Sequence, residues 1–97
     1  MPVVHIALFK FKPEASAARI DSLIAELNKL ASSVPGVISL RAGANFSHKS
    51  QGFTHGLVSE HATREDLQKY YDHPNHLAVV HQAADIREDI LLFDYDV

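Results

Sequence analysis

The sequence predicts an α+β fold: a ferredoxin-like sheet of four antiparallel strands that carries its helices on one face. Apolar residues alternate at a two-residue step in four segments and recur at three- and four-residue steps between them, giving the order β-α-β-β-α-α-β. Right-handed crossovers then send the helices to the same side of the sheet. Finally, the first and last strands are apolar on both faces, so the side without helices needs cover of its own.

The first strand, Val3 to Phe11, points His5, Ala7, Phe9 and Phe11 one way and Val4, Ile6 and Leu8 the other. Pro13 and Glu14 open an amphipathic helix with the stripe Ile20, Leu23, Ile24, Leu27, Leu30 and Ala31, opposed by Asp21, Glu26 and Lys29. Pro35-Gly36 stops it. Val37 to Asn45 is the second strand and Asn45 to Gly52 a polar connection. Phe53 to His61 is the third strand, with His55, Leu57 and Ser59 on one face. Thr63, three residues before Asp66, reads as the N-cap of a second helix, with Asp66 as its acidic reciprocal partner. That helix carries Leu67, Tyr70 and Tyr71 and stops near His73, because Pro74 disfavours helical backbone in the residue before it. A further helix runs from Asn75 to about Asp85 through Leu77, Val80, Ala83 and Ala84, and Ile90 to Tyr95 is the last strand.

With 97 residues and 46% hydrophobic content the chain has room for one core, hence one domain over residues 1–97. Nine Lys and Arg against twelve Asp and Glu leave a net charge of −3 with no basic stripe. Neither nucleic acid nor an anionic membrane surface is therefore an expected partner. Cysteine is absent, which excludes disulfides, thiolate metal sites and Cys nucleophiles. Met1 to Phe11 does not have the pattern of a signal peptide, and no apolar run approaches the ~18 residues of a membrane span, so the cytoplasm is the expected location. The serines sit in no G-x-S-x-G elbow and the glycines form no phosphate-cradling loop, so no cofactor is expected. His73 and His76 are spaced as two metal ligands can be, yet Pro74 interrupts helical geometry between them, and no metal is expected.

The uncovered side of the sheet has energetic weight. Each large apolar side chain left in water forfeits ~1.5–3 kcal/mol of burial, against a typical net stability of ~5–15 kcal/mol. Val4, Ile6, Leu8 and one register of the last strand together make that loss large. A second copy packed sheet against sheet, a homodimer, is the simplest cover; the C-terminal tail is the alternative.

Chemistry concentrates in the run Tyr70-Tyr71-Asp72-His73-Pro74-Asn75-His76, in a chain with seven histidines. Tyr70 lies three residues after Leu67 and so shares its inward face, while the proline break re-aims the chain and can swing His76 toward the same cavity. An imidazole with an ordinary pKa near ~6.5 exchanges a proton near neutrality, and a phenol near ~10 donates a hydrogen bond to a carbonyl or enolate. Together they suit proton abstraction beside a carbonyl. His5 and His55 share the inward registers of their strands and are candidates for the same cavity, though antiparallel pairing tends to place them at opposite ends. Purely structural roles are open for each: Tyr70 as a core aromatic, His5 and His55 as satisfied core residues. His73 is expected to pin the end of its helix by satisfying orphan carbonyls. His48, His61 and His81 are expected at the surface or at element ends.

Several segments jointly resemble the stress-responsive A/B barrel, or Dabb, family: His5 to Lys12, Val34-Pro35-Gly36-Val37, Phe53-Thr54-His55, the Tyr-x-x-His-Pro-x-His run from Tyr70 to His76, and Leu92-Phe93-Asp94-Tyr95. The resemblance covers nearly the whole chain. It implies a ferredoxin-like protomer whose sheet packs on its dimer mate to make a dimeric α+β barrel. Carried over from a plant polyketide cyclase of that family, it also implies Tyr70 and His76 as an acid/base pair and His5 and His55 as supporting pocket histidines. The pocket walls depart from that enzyme, with Leu23, Ile24 and Leu27 where it has aromatic residues on the first helix. His61 likewise replaces an aromatic residue.

The expected function is a homodimer with a small apolar pocket that binds or transforms a small carbonyl or polyketide-like compound. The chemistry would be cofactor-free, with His76 as base and Tyr70 as oxyanion donor. The alternatives are a non-catalytic stress-response or binding protein, and a cofactorless monooxygenase of the dimeric α+β barrel group.

Overall fold

Local signals open and close each element at the residues that can satisfy the chain ends. In the computed structural model, which describes residues 1–97, the first strand is β1 (Val3–Phe11). Helix α1 (Ala17–Ser33) begins a turn later than Pro13-Glu14 implies, because the Ser16 hydroxyl accepts the Arg19 N–H and caps it. Strands β2 (Val37–Ala44) and β3 (His55–His61) follow. Helix α2 (Arg64–Asp72) starts as expected at Thr63, whose hydroxyl accepts the Asp66 N–H at 3.0 Å. Asp66 returns no bond to Thr63; it packs instead on Gly36, where a Cβ would come within 2.9 Å of it. Gly36 also has φ +85°, so the turn into β2 requires glycine twice over, by conformation and by space. Helix α3 (Pro74–Ala83) has its proline at the first helical position, where the missing N–H costs nothing, and β4 (Arg87–Asp96) begins three residues before Ile90.

The sheet has the order β2-β3-β1-β4, antiparallel throughout. Because side chains alternate, the register groups inward residues into rungs across the four strands. One rung is Leu40, Ser59, His5, Asp94; the next is Ala42, Leu57, Ala7, Leu92; then comes Ala44, His55, Phe9, Ile90. Leu23, Leu27 and Leu30 of α1, Leu67 and Tyr70 of α2, and Val79 and Ala83 of α3 close over these rungs to form the core. At the β2 edge the Asn28 side chain donates to the Ala42 carbonyl at 3.1 Å and accepts its N–H at 2.9 Å. A side chain of α1 thus occupies backbone groups that an edge strand otherwise exposes.

The other face carries Ile6, Val58, Phe93, Leu8, Leu91, Val4 and Tyr95, and no helix covers it. Phe93 at its centre is 62% exposed. No helix of the chain is long and apolar enough to cross a membrane. The expected outcome of sedimentation velocity at micromolar concentration is a species of twice the 10.8 kDa protomer mass. Replacing Phe93 and Val58 with Asp should return it to the protomer mass; a wild-type chain that is already monomeric would exclude sheet-to-sheet pairing.

Candidate functional site

Between the inward sheet face and the helices lies a cavity of about 220 Å³, walled mainly by apolar side chains. Leu23 and Leu27 line it from α1 and Val79, Val80 and Ala83 from α3, with Ala7, Phe9, Leu57, Ile90 and Leu92 as its floor. Its polar lining groups are His5, Tyr70, Tyr71 and His76, with Arg87 as the one cation. The structure therefore brings together Tyr70, His76, His5, Leu23 and Leu27 of the residues expected from sequence.

Two expected members lie elsewhere. Ile24 packs against the core beside the cavity without lining it. His55 pairs with Phe9, four residues along β1 from His5, because antiparallel strands carry residues near their starts to opposite ends. There its ring meets Phe11 edge-on at 5.3 Å between centroids, and its Nδ1 lies 2.8 Å from the Thr54 hydroxyl.

The proline break does re-aim His76. Helix α2 ends at Asp72 and α3 starts at Pro74, which sets the His76 ring 4.4 Å from the Tyr70 ring between centroids. His76 Nδ1 lies 3.0 Å from the carbonyl of Tyr71, one of the carbonyls orphaned at the end of α2. Since a carbonyl only accepts, Nδ1 carries the hydrogen and Nε2 keeps its lone pair. His73 pins the end of α2 as expected, its backbone N–H donating to the Tyr70 carbonyl at 3.2 Å, and His76 satisfies a second carbonyl there. The His73 side chain faces the other way: its ring accepts the Asn75 N–H at 3.1 Å and caps α3.

Burial lowers the His76 pKa below the ordinary 6.5, and the neighbouring His5 adds to this while the Tyr71 carbonyl opposes it. His76 is consequently neutral, and basic at Nε2, near pH 7. Burial pushes Tyr70 up to about 12, so its phenol stays protonated. The Tyr70 hydroxyl is buried and has no hydrogen-bond partner within the chain. Such a group costs ~1–3 kcal/mol unless something else satisfies it.

Three residues absent from the sequence-based reading of the site hold His5 in place or surround it. Asp94 shares a rung with His5, and its Oδ1 lies 2.5 Å from His5 Nδ1. The Tyr71 hydroxyl donates to Asp94 Oδ2 at 3.1 Å and lies 3.1 Å from His5 Nδ1. The carboxylate thereby directs the Nδ1 hydrogen and fixes the orientation of the ring. Burial and Asp94 both push the Tyr71 phenol above its usual range, so it too remains a donor. The available signal was an acidic residue in the inward register of Ile90 and Leu92. Ser59, the third, lies on the same rung and bonds His61 Nε2 at 2.8 Å.

His61 meets the expectation of an element end, though not that of a surface residue. It is completely buried, because β3 lies inside the sheet and α2 passes over its end. Its ring is 4.9 Å from that of Tyr70 and its Nδ1 has no partner within the chain. Burial, reinforced by His5, pushes its pKa down to about 4. His48 and His81 are exposed, as expected. No group of three or more His, Asp or Glu side chains has the geometry to hold a metal ion.

Comparison with known proteins gives a consistent result. The family model described as "Stress responsive A/B Barrel Domain" matches residues 3–97. The chain is 33% identical over 97 residues to stress-response A/B barrel domain-containing protein DABB1 of Arabidopsis thaliana, covering 96% of this chain and 46% of that protein. It therefore spans less than half of that relative, and 36% of a second stress-response A/B barrel protein of Arabidopsis thaliana, to which it is 34% identical. It is 27% identical to olivetolic acid cyclase of Cannabis sativa, covering 98% of this chain and 96% of the cyclase. Among solved structures, a dimeric ferredoxin-like protein of unknown function from Jannaschia superposes with a TM-score of 0.84 at 27% identity, over the full length of both chains.

His61 yields a stability prediction. Its folded pKa of about 4 lies below the unfolded value near 6.5, so the unfolded chain binds the proton more readily. The resulting stability is present above pH 6.5 and is lost as pH falls toward 4, with a total on the order of 3 kcal/mol. Urea melts across this range should show a shallower acid loss in His61→Phe than in the wild type.

Proposed function

Because this chain belongs to the stress-responsive A/B barrel domain family, we propose that it acts as a homodimer whose helix-side cavity binds a small carbonyl compound and moves a proton beside that carbonyl without a cofactor. The observation that carries this reading is the meeting of Tyr70 and His76 at the polar end of an apolar cavity, with the phenol protonated and unpartnered and the imidazole neutral. A ligand carbonyl oxygen accepts the Tyr70 hydrogen bond, which otherwise goes unmade. His76 Nε2 then takes a proton from the adjacent carbon. The electron pair of the C–H bond moves toward the carbonyl, and the developing enolate is held by the Tyr70 donor. His5, oriented by Asp94, lines the same end and contributes a fixed imidazole. The mainly apolar walls lower the local polarity, which strengthens each of these interactions.

Two likenesses support the reading. Olivetolic acid cyclase matches over nearly its whole length, and its name describes a ring closure. The Jannaschia structure is dimeric, which fits the apolar outer face of this sheet. A second reading is a stress-response or binding protein that holds a ligand without turning it over; DABB1 carries a stress-response name.

The test is exchange of the acidic C–H hydrogens of small 1,3-dicarbonyl compounds in D2O, followed by NMR. The wild-type dimer should accelerate exchange, with a rate that rises with pH through a midpoint below 6.5, because the base must lose its proton. His76→Ala should reduce the catalysed rate about 100-fold or more. Tyr70→Phe should reduce it about 100-fold, as removal of an oxyanion donor does. Full activity in either variant overturns the assignment; binding without exchange favours the non-catalytic reading.

A further inference from the structure

An arginine lines the wall of this mainly apolar cavity, and the sheet register explains how it gets there. Strict alternation through β4 from Ile90, Leu92 and Asp94 would turn Arg87 to the outer face. The β1–β4 ladder, however, slips by one residue between Lys10 and Phe11, so that Lys10 pairs with Asp89 but Phe11 pairs with Arg87. Phe11 belongs to the inward register of His5, Ala7 and Phe9, and the slip turns Arg87 inward with it. Arg87 is half-buried and lines the cavity.

No carboxylate claims it. The ion pairs of the chain use His5, Arg19, Lys29 and Arg64, and Arg87 makes neither an ion pair nor a side-chain hydrogen bond. A cation that is half-buried and unpaired loses hydration without recompense unless an anion reaches it. Its place is also at the opposite end from the acid/base groups: the Arg87 rung lies six residues along β1 from the His5–Asp94 rung, a backbone span of ~20 Å that the long arginine side chain shortens. Between the two ends the floor is Ala7, Phe9, Ile90 and Leu92.

We propose that the cavity takes an elongated carboxylate ligand, whose anionic end pairs with Arg87 and whose carbonyl end lies at Tyr70 and His76. This deepens the reading of the site given above and rests on it for the carbonyl end. The planar guanidinium matches a carboxylate in two parallel hydrogen bonds. A carboxylate is favoured over a dianionic phosphate because Arg87 is the only Lys or Arg in the lining. The cavity volume of about 220 Å³ limits the occupant to a slender chain.

The test uses the purified full chain and calorimetric binding of three probes of equal length: a methyl-ketone derivative of octanoate with its ketone far from the carboxylate, its primary amide, and the corresponding alkyl phosphate. The acid should bind about tenfold or more tightly than the amide. Arg87→Gln should abolish that preference by weakening the acid far more than the amide, and Arg87→Lys should keep part of it. Arg87 has no structural partner, so a matching thermal melt for the variants certifies their fold. Equal binding of acid and amide, a preference undiminished in Arg87→Gln, tighter binding of the phosphate, or no binding of the acid at millimolar concentration each overturns the proposal. Because the readout is binding, charge preference survives if proton transfer fails, and loss of charge preference leaves the exchange assay of His76 intact.

Discussion

Hydrogen bonding of β1 between β3 and β4 aligns the residues on which the site is built. His5 has Ser59 on one side and Asp94 on the other, because the antiparallel registers of both ladders are held over most of the strand. A slip by one residue would exchange every inward side chain for an outward one, sending His5 and Asp94 out of the interior and Ile6 and Phe93 into it. The apolar packing of Ala7, Phe9 and Leu57 under α1 and α3 makes that exchange expensive, so the core enforces the polar geometry.

The polar groups that result differ in how they are satisfied. His5, Asp94 and Tyr71 form a closed set, each hydrogen-bonded to another, which holds one imidazole in one orientation. His61 and Ser59 satisfy one another in part, and Tyr70 is left without a partner at the cavity end. Burial acts in one direction on four of the neighbouring rings, keeping the His61 and His76 imidazoles neutral and the Tyr70 and Tyr71 phenols protonated. A neutral base beside a protonated donor is the pairing that proton abstraction next to a carbonyl demands, and it arises here from burial more than from any nearby charge.

Both faces of the sheet are committed, each to a different task. The inward face shares its area between core and cavity, and the cavity lies toward β4, where the edge strand has the least helical cover. The outward face offers Ile6, Val58, Leu91 and Phe93 as one continuous apolar surface whose burial against a second copy would stiffen β1 and β4 from behind. The bulge at Lys10 and Phe11 lies where the two faces exchange register, which is how a charged residue of β4 comes to stand in the cavity wall.

Hydrophobic periodicity determined the element order, the two-faced strands, and the inward placement of Tyr70, Leu23, Leu27 and His5, and with the handedness of the crossovers it put the helices on one side. The periodic features depend on the spacing of residues within one element, and spacing is written in the chain. The proline between His73 and His76 likewise announced a change of direction. Which residues meet across elements was decided only in three dimensions, since it depends on register and strand order. Asp94 acquired its meaning from pairing opposite His5, His61 from an interior strand passing under α2, and His55 lost its place by pairing with Phe9. Arg87 shows the limit most sharply: alternation puts it outside, and a one-residue slip in a ladder between chain segments about 75 residues apart puts it in.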